Sequence, residues 1–177
     1  MGKSCRDPSE IKRFYGYWSK NNLLSMLERE VREGKISPSW DREKIIEAVA
    51  KIEAESCASG KSSPIDVVMT KQRSILKNAE KLREALSLEM NKENENWKST
   101  LKKLGKVGTH AIPSNWTLEE RELRNRLGII EERYNSREED IDRLNVLSEN
   151  AKRSASPSYL TDISKQITRI KRKISKK

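Results

Sequence analysis

The sequence predicts an all-α protein: an elongated helical chain with an N-terminal antiparallel coiled-coil hairpin, further long helices and flexible linkers. Of its 177 residues, 36% are charged, 34% are hydrophobic and only 5% are aromatic, a balance that favours exposed helices whose apolar stripes pair with neighbours. Apolar residues recur at spacings of three and four, and short stretches rich in Gly, Pro and Ser interrupt them. These breaks predict a helical hairpin over 1–55, a linker over 56–64, a long helix over 65–104, a break over 105–115, a helical segment over 116–153 and a basic amphipathic helix over 154–177.

The N-terminal stretch predicts two helices folded back at a turn. The first runs from Ser9 and ends at Gly34. Pro38, four residues later, prevents the helix from continuing, because proline lacks a backbone N–H. The second starts near Asp41 and carries apolar residues on one face. A hairpin of this size cannot bury its own stripes well, so we expect it to associate with copies of itself. The candidate oligomerisation residues are Tyr17, Trp18, Leu24, Leu27, Val31, Pro38, Trp40, Ile45, Ile46, Val49 and Ile52.

The middle of the chain predicts two further long helices. The first runs from about Asp66 to Leu104, with a weak apolar pattern over residues 91–96. The second has the clearest start in the sequence. Thr117 is placed to cap it, and Glu120, three residues on, is placed to bond back to the backbone of Thr117.

The C-terminal segment combines a strict apolar stripe with a concentration of positive charge. Leu160, Ile163, Ile167, Ile170 and Ile174 recur at spacings of three and four. The whole chain carries a formal net charge of +10. Residues 151–177 contain nine basic residues and one acidic residue, so they account for +8 of it. Such a charge predicts an anionic partner such as nucleic acid or a membrane surface.

Catalytic chemistry is poorly represented in the sequence. His110 is the single histidine, and with no second histidine and no paired cysteines a zinc site is not expected. The sequence over 105–108 lacks the spacing of a phosphate-binding loop. Acidic residues alternate with basic ones at helical spacing, which is typical of solvated, salt-bridged faces. We therefore expect no catalytic residues, no metal and no cofactor, and the chain is not expected to be an enzyme.

The clustered basic residues of the C-terminal segment are candidates for binding nucleic acid through its phosphates, a mode that needs no base-specific contact. The candidates are Lys152, Arg153, Arg169, Lys171, Arg172, Lys173 and Lys176. Lys171, Arg172 and Lys173 also fit a nuclear import signal, and a merely solubilising role remains an alternative. The basic helix has no Trp or Phe on its apolar face, which argues against a membrane surface. Cys5 and Cys57 are too few for a disulfide framework, which favours a reducing compartment.

The order of these features resembles that of the delta antigen of hepatitis delta virus and its delta-like relatives in other animals. The hairpin is similar to that family's assembly domain through Trp18, Leu24, residues 27–31, the turn over 38–40 and the helix over 45–49. The intervening helix is shorter by about a heptad, a length that a coiled coil can lose without changing face. Both matches together cover about half of the chain.

The second match begins at residues 116–121, which resemble the aromatic-Thr-x-x-Glu-Arg opening of the family's first arginine-rich motif, and Arg124 and Arg126 would stand in that motif. The resemblance therefore implies that Arg121, Arg124 and Arg126 are further RNA-binding residues. Residues 138–144 and then Lys152 and Arg153 resemble the acidic run and second basic motif that follow. The chain departs from the family in having few arginines in these motifs and an Ile-striped basic C-terminus instead of a Gly/Pro-rich tail.

The resemblance implies a viral nucleoprotein. Such a protein would form homo-oligomers through its hairpin, coat a structured, rod-like RNA, and support replication of that RNA by a host RNA polymerase. It would be found in the host nucleus, reached through an import receptor, and in the virion ribonucleoprotein. The alternative function is a coiled-coil scaffold or adaptor whose basic tail is only a nuclear-import or docking signal.

Overall fold

The computed structural model describes residues 7–175, and every regular element in that range is helical, which confirms the all-α fold class. The helices are α1 (Pro8–Tyr15), α2 (Lys20–Met26), α3 (Glu28–Arg32), α4 (Arg42–Ala58), α5 (Pro64–Val107), a short 3₁₀ helix (Pro113–Asn115), α6 (Leu118–Arg153) and α7 (Pro157–Ser175). The chain divides into two compact units. The core unit comprises Met1–Lys77 and Leu147–Lys177, and the hairpin unit comprises Asn78–Val146.

The single first helix predicted over residues 9–34 is wrong, because the structure has the three short helices α1, α2 and α3 there. Helix α1 ends before Gly16, and Ser19 then begins α2 by accepting a hydrogen bond from the Asn22 N–H at 3.2 Å. The apolar face of α1 is out of phase with that of α2. A break between them lets both faces turn inward, and a serine is well suited to start the new helix.

The predicted oligomerisation residues mostly lie against their own chain. Helix α4 packs against α1 and α2. Leu27, Ile45, Ile46 and Val49 are buried there, Trp18, Leu24, Val31, Trp40 and Ile52 are half-buried, and Pro38 and Tyr17 are exposed. Helix α1 thus covers much of the apolar stripe for which the sequence suggested a second copy. Self-association through this region stays a prediction, and the exposed Tyr17 ring is its most accessible part.

Hydrogen bonds between polar groups also hold the helices of the core unit together. The Tyr15 hydroxyl donates a hydrogen bond to the Glu53 carboxylate, and both residues are buried. The Arg42 guanidinium donates to the Trp18 carbonyl at 2.9 Å and so ties α4 to the turn before α2. Near the end of α4, Cys57 takes part in a disulfide bond, so the argument for a reducing compartment from the cysteine count no longer holds.

Helix α7 lies in the core unit with its apolar stripe buried. Leu160, Ile163, Ile167 and Ile170 are each at most 4% exposed. The Glu28 carboxylate holds the start of the helix, because it accepts hydrogen bonds from the Ser158 N–H at 2.7 Å and from the Ser156 hydroxyl at 2.9 Å. A carboxylate is favourable there, since the first N–H groups of a helix have no partner within it. Because the apolar stripe is buried, the basic side chains on the opposite face of α7 are exposed.

The hairpin unit consists of the later part of α5 and the earlier part of α6, which run antiparallel. Leu86, Leu104, Ile130 and Leu144 are buried in it. Helix α5 continues without a break through residues 91–96, where the sequence pattern is weak. Arg137 of α6 supports α5 there, since it lies 3.4 Å from Glu93 within that stretch and 2.8 Å from Glu89 just before it.

Candidate nucleic-acid interface

A groove in the core unit brings the start of α5 against the exposed side of α7. Its volume is about 670 Å³. Its lining combines four cationic side chains, four hydroxyl groups and two apolar residues, with no carboxylate among them: Lys71, Lys165, Arg169, Arg172, Ser74, Thr161, Ser164, Thr168, Ile75 and Leu160. Cations and hydroxyls together are the groups that bind phosphate and sugar oxygens.

The periodicity of α7 builds one wall of this groove. Lys165, Arg169 and Arg172 stand at spacings of four and three, so they share the helix face opposite the buried isoleucines. The seven residue steps from Lys165 to Arg172 give a rise of about 10 Å along the helix. Duplex DNA carries a phosphate about every 3.4 Å of axis on each strand, so the row spans about three phosphates.

Lys71 supplies the charge of the opposite wall and is held by defined hydrogen bonds. Its ammonium group donates to the Pro157 carbonyl at 2.9 Å and to the Thr161 hydroxyl at 2.7 Å. The neighbouring Gln72 amide donates to the carbonyls of Ala151 and Ser154 at 3.0 and 2.9 Å, and so caps the end of α6. These contacts fix the first turns of α5 against the start of α7.

The positive charge of the groove is poorly neutralised. Within residues 7–175, Arg169 and Arg172 form no ion pair with a carboxylate. Lys165 lies 3.0 Å from Asp162, but both side chains are more than 60% exposed, and an ion pair so exposed is weak. Two guanidinium groups are therefore available for an anion, and guanidinium binds phosphate in a bidentate manner.

Helix α7 presents its other predicted residues outside the groove. Lys171 and Lys173 are exposed on α7 but do not line the groove. Lys176 lies outside the described residues. Of the basic residues predicted in the C-terminal helix, the groove brings together Arg169 and Arg172.

Lys152 and Arg153 lie at the end of α6, also in the core unit. Lys152 pairs with Glu149 at 2.6 Å, and this hydrogen bond with the nearby charge lowers the pKa of the Glu149 carboxyl. Arg153 is exposed and lines a separate cavity of about 290 Å³ together with Asn22, Ser25 and Tyr159. Neither residue lines the basic groove.

Arg121, Arg124 and Arg126 belong to the hairpin unit, at the start of α6. The Arg124 guanidinium stacks on the Trp116 ring, 4.3 Å from its centroid, and its Nε is buried without a hydrogen-bond partner in the described structure. Arg124 therefore serves the packing of the turn. Arg121 and Arg126 are exposed.

The turn before α6 confirms the predicted capping box. The Glu120 N–H donates to the Thr117 hydroxyl at 3.2 Å, and the Thr117 N–H donates to the Glu120 carboxylate at 3.0 Å. His110 adds two contacts to this carboxylate, from its backbone N–H at 3.1 Å and its ring Nδ1 at 2.8 Å. These bonds, that from Thr117 first, lower the pKa of Glu120 to about 2. His110 thus holds the turn together.

Sequence reasoning missed several groove residues. Lys165 was recognisable, because its spacing from Arg169 and Arg172 places the three on one face. Lys71 carried no such signal, since it is 94 positions before Lys165 and only the fold brings the two helices together. The same holds for the hydroxyl of Ser74.

Charge is divided unequally between the units. The residues of the core unit include 24 basic and 13 acidic side chains, a formal net charge of +11. Those of the hairpin unit include 13 basic and 14 acidic side chains, a net charge of −1. The positive net charge of the core unit favours association with anions through long-range electrostatics, independently of any single contact.

Three comparisons with known proteins leave the site to be interpreted from its own geometry. No family model matches the sequence, and no curated protein or solved structure is significantly similar to the chain. Over the described residues, none of the helices has the length and apolar character needed to span a membrane. In the same range, no three His, Cys, Asp or Glu side chains are grouped so as to bind a metal ion.

Proposed function

We propose that the chain is an oligomeric, non-catalytic RNA-binding protein, and that α7 and the start of α5 form its RNA-binding surface. The observation that carries the proposal is the groove of four cations and four hydroxyls without a carboxylate. Base-paired RNA is recognised mainly through its shape, its phosphates and its 2′-hydroxyls. A surface of cations and hydroxyl groups is therefore sufficient to bind it. Repetition of the surface in an oligomer would raise the avidity.

The resemblance to the delta antigen supplies the biological setting of the proposal. In that setting the protein coats a rod-like viral RNA, supports its replication by a host polymerase, and acts in the host nucleus and in the virion ribonucleoprotein. The order along the sequence of the predicted N-terminal hairpin over 1–55, the capped aromatic start at 116–121 and the basic C-terminal cluster supports this setting. The proposal moves the main RNA contact away from residues 121–126, because the cations that line this groove belong to α7 and α5.

The test is a binding titration with three nucleic acids of equal length: a rod-like, self-paired RNA, a single-stranded RNA and a DNA duplex. Each is titrated across salt concentration while light scattering follows the size of the protein. The proposal predicts tight, salt-sensitive binding with a preference for the rod. Equal, weak binding to all three would contradict it.

A second candidate function is a scaffold whose basic tail is a docking or import signal. The exposed run of Lys171, Arg172 and Lys173 at the end of α7 favours it, since an import receptor needs an accessible basic segment. The absorbance ratio at 260 and 280 nm of the purified protein separates the two functions. Co-purified RNA favours the nucleoprotein, and its absence favours the scaffold.

A further inference from the structure

We propose that a pocket in the hairpin unit binds a lysine side chain from the end of α7 of a second copy of this chain. The pocket lies between α5 and α6 and has a volume of about 290 Å³, at the small end of the range of ligand sites. It is lined by Trp97, Tyr134, Ile130, Glu93, Glu131, Asn94 and Asn135. A single long side chain fits such a volume better than a whole ligand does.

The lining is suited to a cation. Trp97 is 39% exposed although it lies on the side of α5 that faces α6, so its ring offers a surface to an incoming group. Tyr134 supplies a second aromatic ring, and an aromatic face attracts a cation. Ile130, only 5% exposed, gives an apolar floor for the aliphatic part of a lysine or arginine.

The carboxylates of the pocket carry an excess of negative charge. Arg137 lies 2.8 Å from Glu89 and 3.4 Å from Glu93, so one guanidinium is shared between two carboxylates. Glu131 is exposed, and in the described part of the chain it has no ion-pair partner. A cation bound on the Trp97 ring would therefore meet an unneutralised carboxylate.

A second copy is the best match for this pocket by charge. The core unit carries a net charge of +11, whereas the hairpin unit carries −1. At the end of α7, Lys171 and Lys173 are exposed and do not line the groove between α5 and α7. Lys171 can therefore enter a neighbour's pocket while Arg169 and Arg172 stay available for phosphate. The donor and the pocket are different surfaces, so each copy has one of each, and such contacts form chains or rings.

The experiment cross-links carboxylates directly to lysines with a carbodiimide, in a mixture of ¹⁵N-labelled and unlabelled full-length protein at low salt without RNA. The expected product joins Glu131 of one copy to Lys171 or Lys173 of the other, and mass spectrometry identifies it as a mixed-isotope peptide pair. The Trp97→Ala variant keeps Glu131 but loses the ring, and its yield is expected to fall about tenfold. Leu101→Ala is the matched control, because Leu101 is 37% exposed one turn along the same helix and does not line the pocket.

A complementation test guards against a variant that only misfolds. The Lys171→Gln/Lys173→Gln variant lacks the donor, and Trp97→Ala lacks the pocket, so each alone should give little cross-link. Their mixture should restore the link in one direction only, from Glu131 of the donor-deficient copy to a lysine of the pocket-deficient copy. No restoration in the mixture, a yield unaffected by Trp97→Ala, or links confined to single copies would overturn the proposal. Links from Glu131 to other lysines would overturn the assignment of the occupant.

Discussion

The core unit and the hairpin unit differ in how they use charged side chains. In the core unit, α7 buries its apolar stripe and leaves cations, among them Arg169 and Arg172, on its outer face. The groove that these cations line has no carboxylate among its described lining residues. In the hairpin unit, charges of both signs lie close together and pair across the helices, as Arg137 does with Glu89. The first arrangement suits an external anion, whereas the second neutralises most of its charge internally and leaves single carboxylates such as Glu131 without an ion-pair partner among residues 7–175. High charge content alone therefore does not identify a binding surface.

The largest expected effect concerns stability and compares buried with exposed isoleucines of the two units. Ile163 is fully buried in the core unit, so Ile163→Ala should reduce the free energy of unfolding by about 2–5 kcal/mol. The matched change Ile129→Ala, at a residue 49% exposed on α6 in the hairpin unit, should stay within about 0.5 kcal/mol. Urea unfolding followed by circular dichroism measures both. A similar loss in both variants would mean that α7 does not bury its stripe as described.

The next largest effect concerns RNA binding. It tests whether binding depends on where the arginines lie in the structure or only on their charge. Arg169→Glu/Arg172→Glu should weaken binding to a rod-like RNA by at least about tenfold, because two charged phosphate contacts are lost. The slope of log affinity against log salt should fall in magnitude by about 2. Arg121→Glu/Arg126→Glu makes the same charge change on exposed residues of the hairpin unit and should have a much smaller effect. Equal losses would contradict the assignment of the groove.

The smallest effect is local and concerns acid stability in the hairpin unit. The pKa of Glu120 is about 2 in the folded chain, below its ordinary value of 4.5, so ionised Glu120 stabilises the fold. This contribution is complete above pH 4.5 and is lost as the pH falls from about 4.5 to 2. The melting temperature should therefore fall less steeply over that range in Glu120→Gln than in the original protein. Parallel pH profiles of the two proteins would argue against the capping contacts.

The fold was predictable where a single period continues through a whole helix. The stripe from Leu160 to Ile174 predicted the last helix, and α7 is observed over Pro157–Ser175. The region around Gly16 was not predictable in the same way. A change of phase there is compatible with one helix that has two neighbours or with two helices that fold back, and only packing against α4 selects the second.

The candidate site divides in the same manner. Arg169 and Arg172 were identified because basic residues cluster in sequence at the end of the chain. Lys71 could not be, because its contact with Pro157 and Thr161 joins residues more than 80 positions apart. Arg124 was assigned to RNA binding from sequence order, whereas its guanidinium stacks on Trp116. Local clustering thus locates charge, but packing decides which charges face a common groove.

The most direct test of the central claim is a lysine-acetylation footprint of the full-length protein with and without a rod-like RNA. Mass spectrometry reads the modification of each lysine in the two states. The groove predicts that RNA protects Lys165 and Lys71 in the core unit, while Lys102 and Lys103, exposed in the hairpin unit, stay as reactive as in the free protein. Equal protection of the hairpin lysines, or unprotected Lys165 in a saturated complex, would contradict the claim that RNA binds along α7.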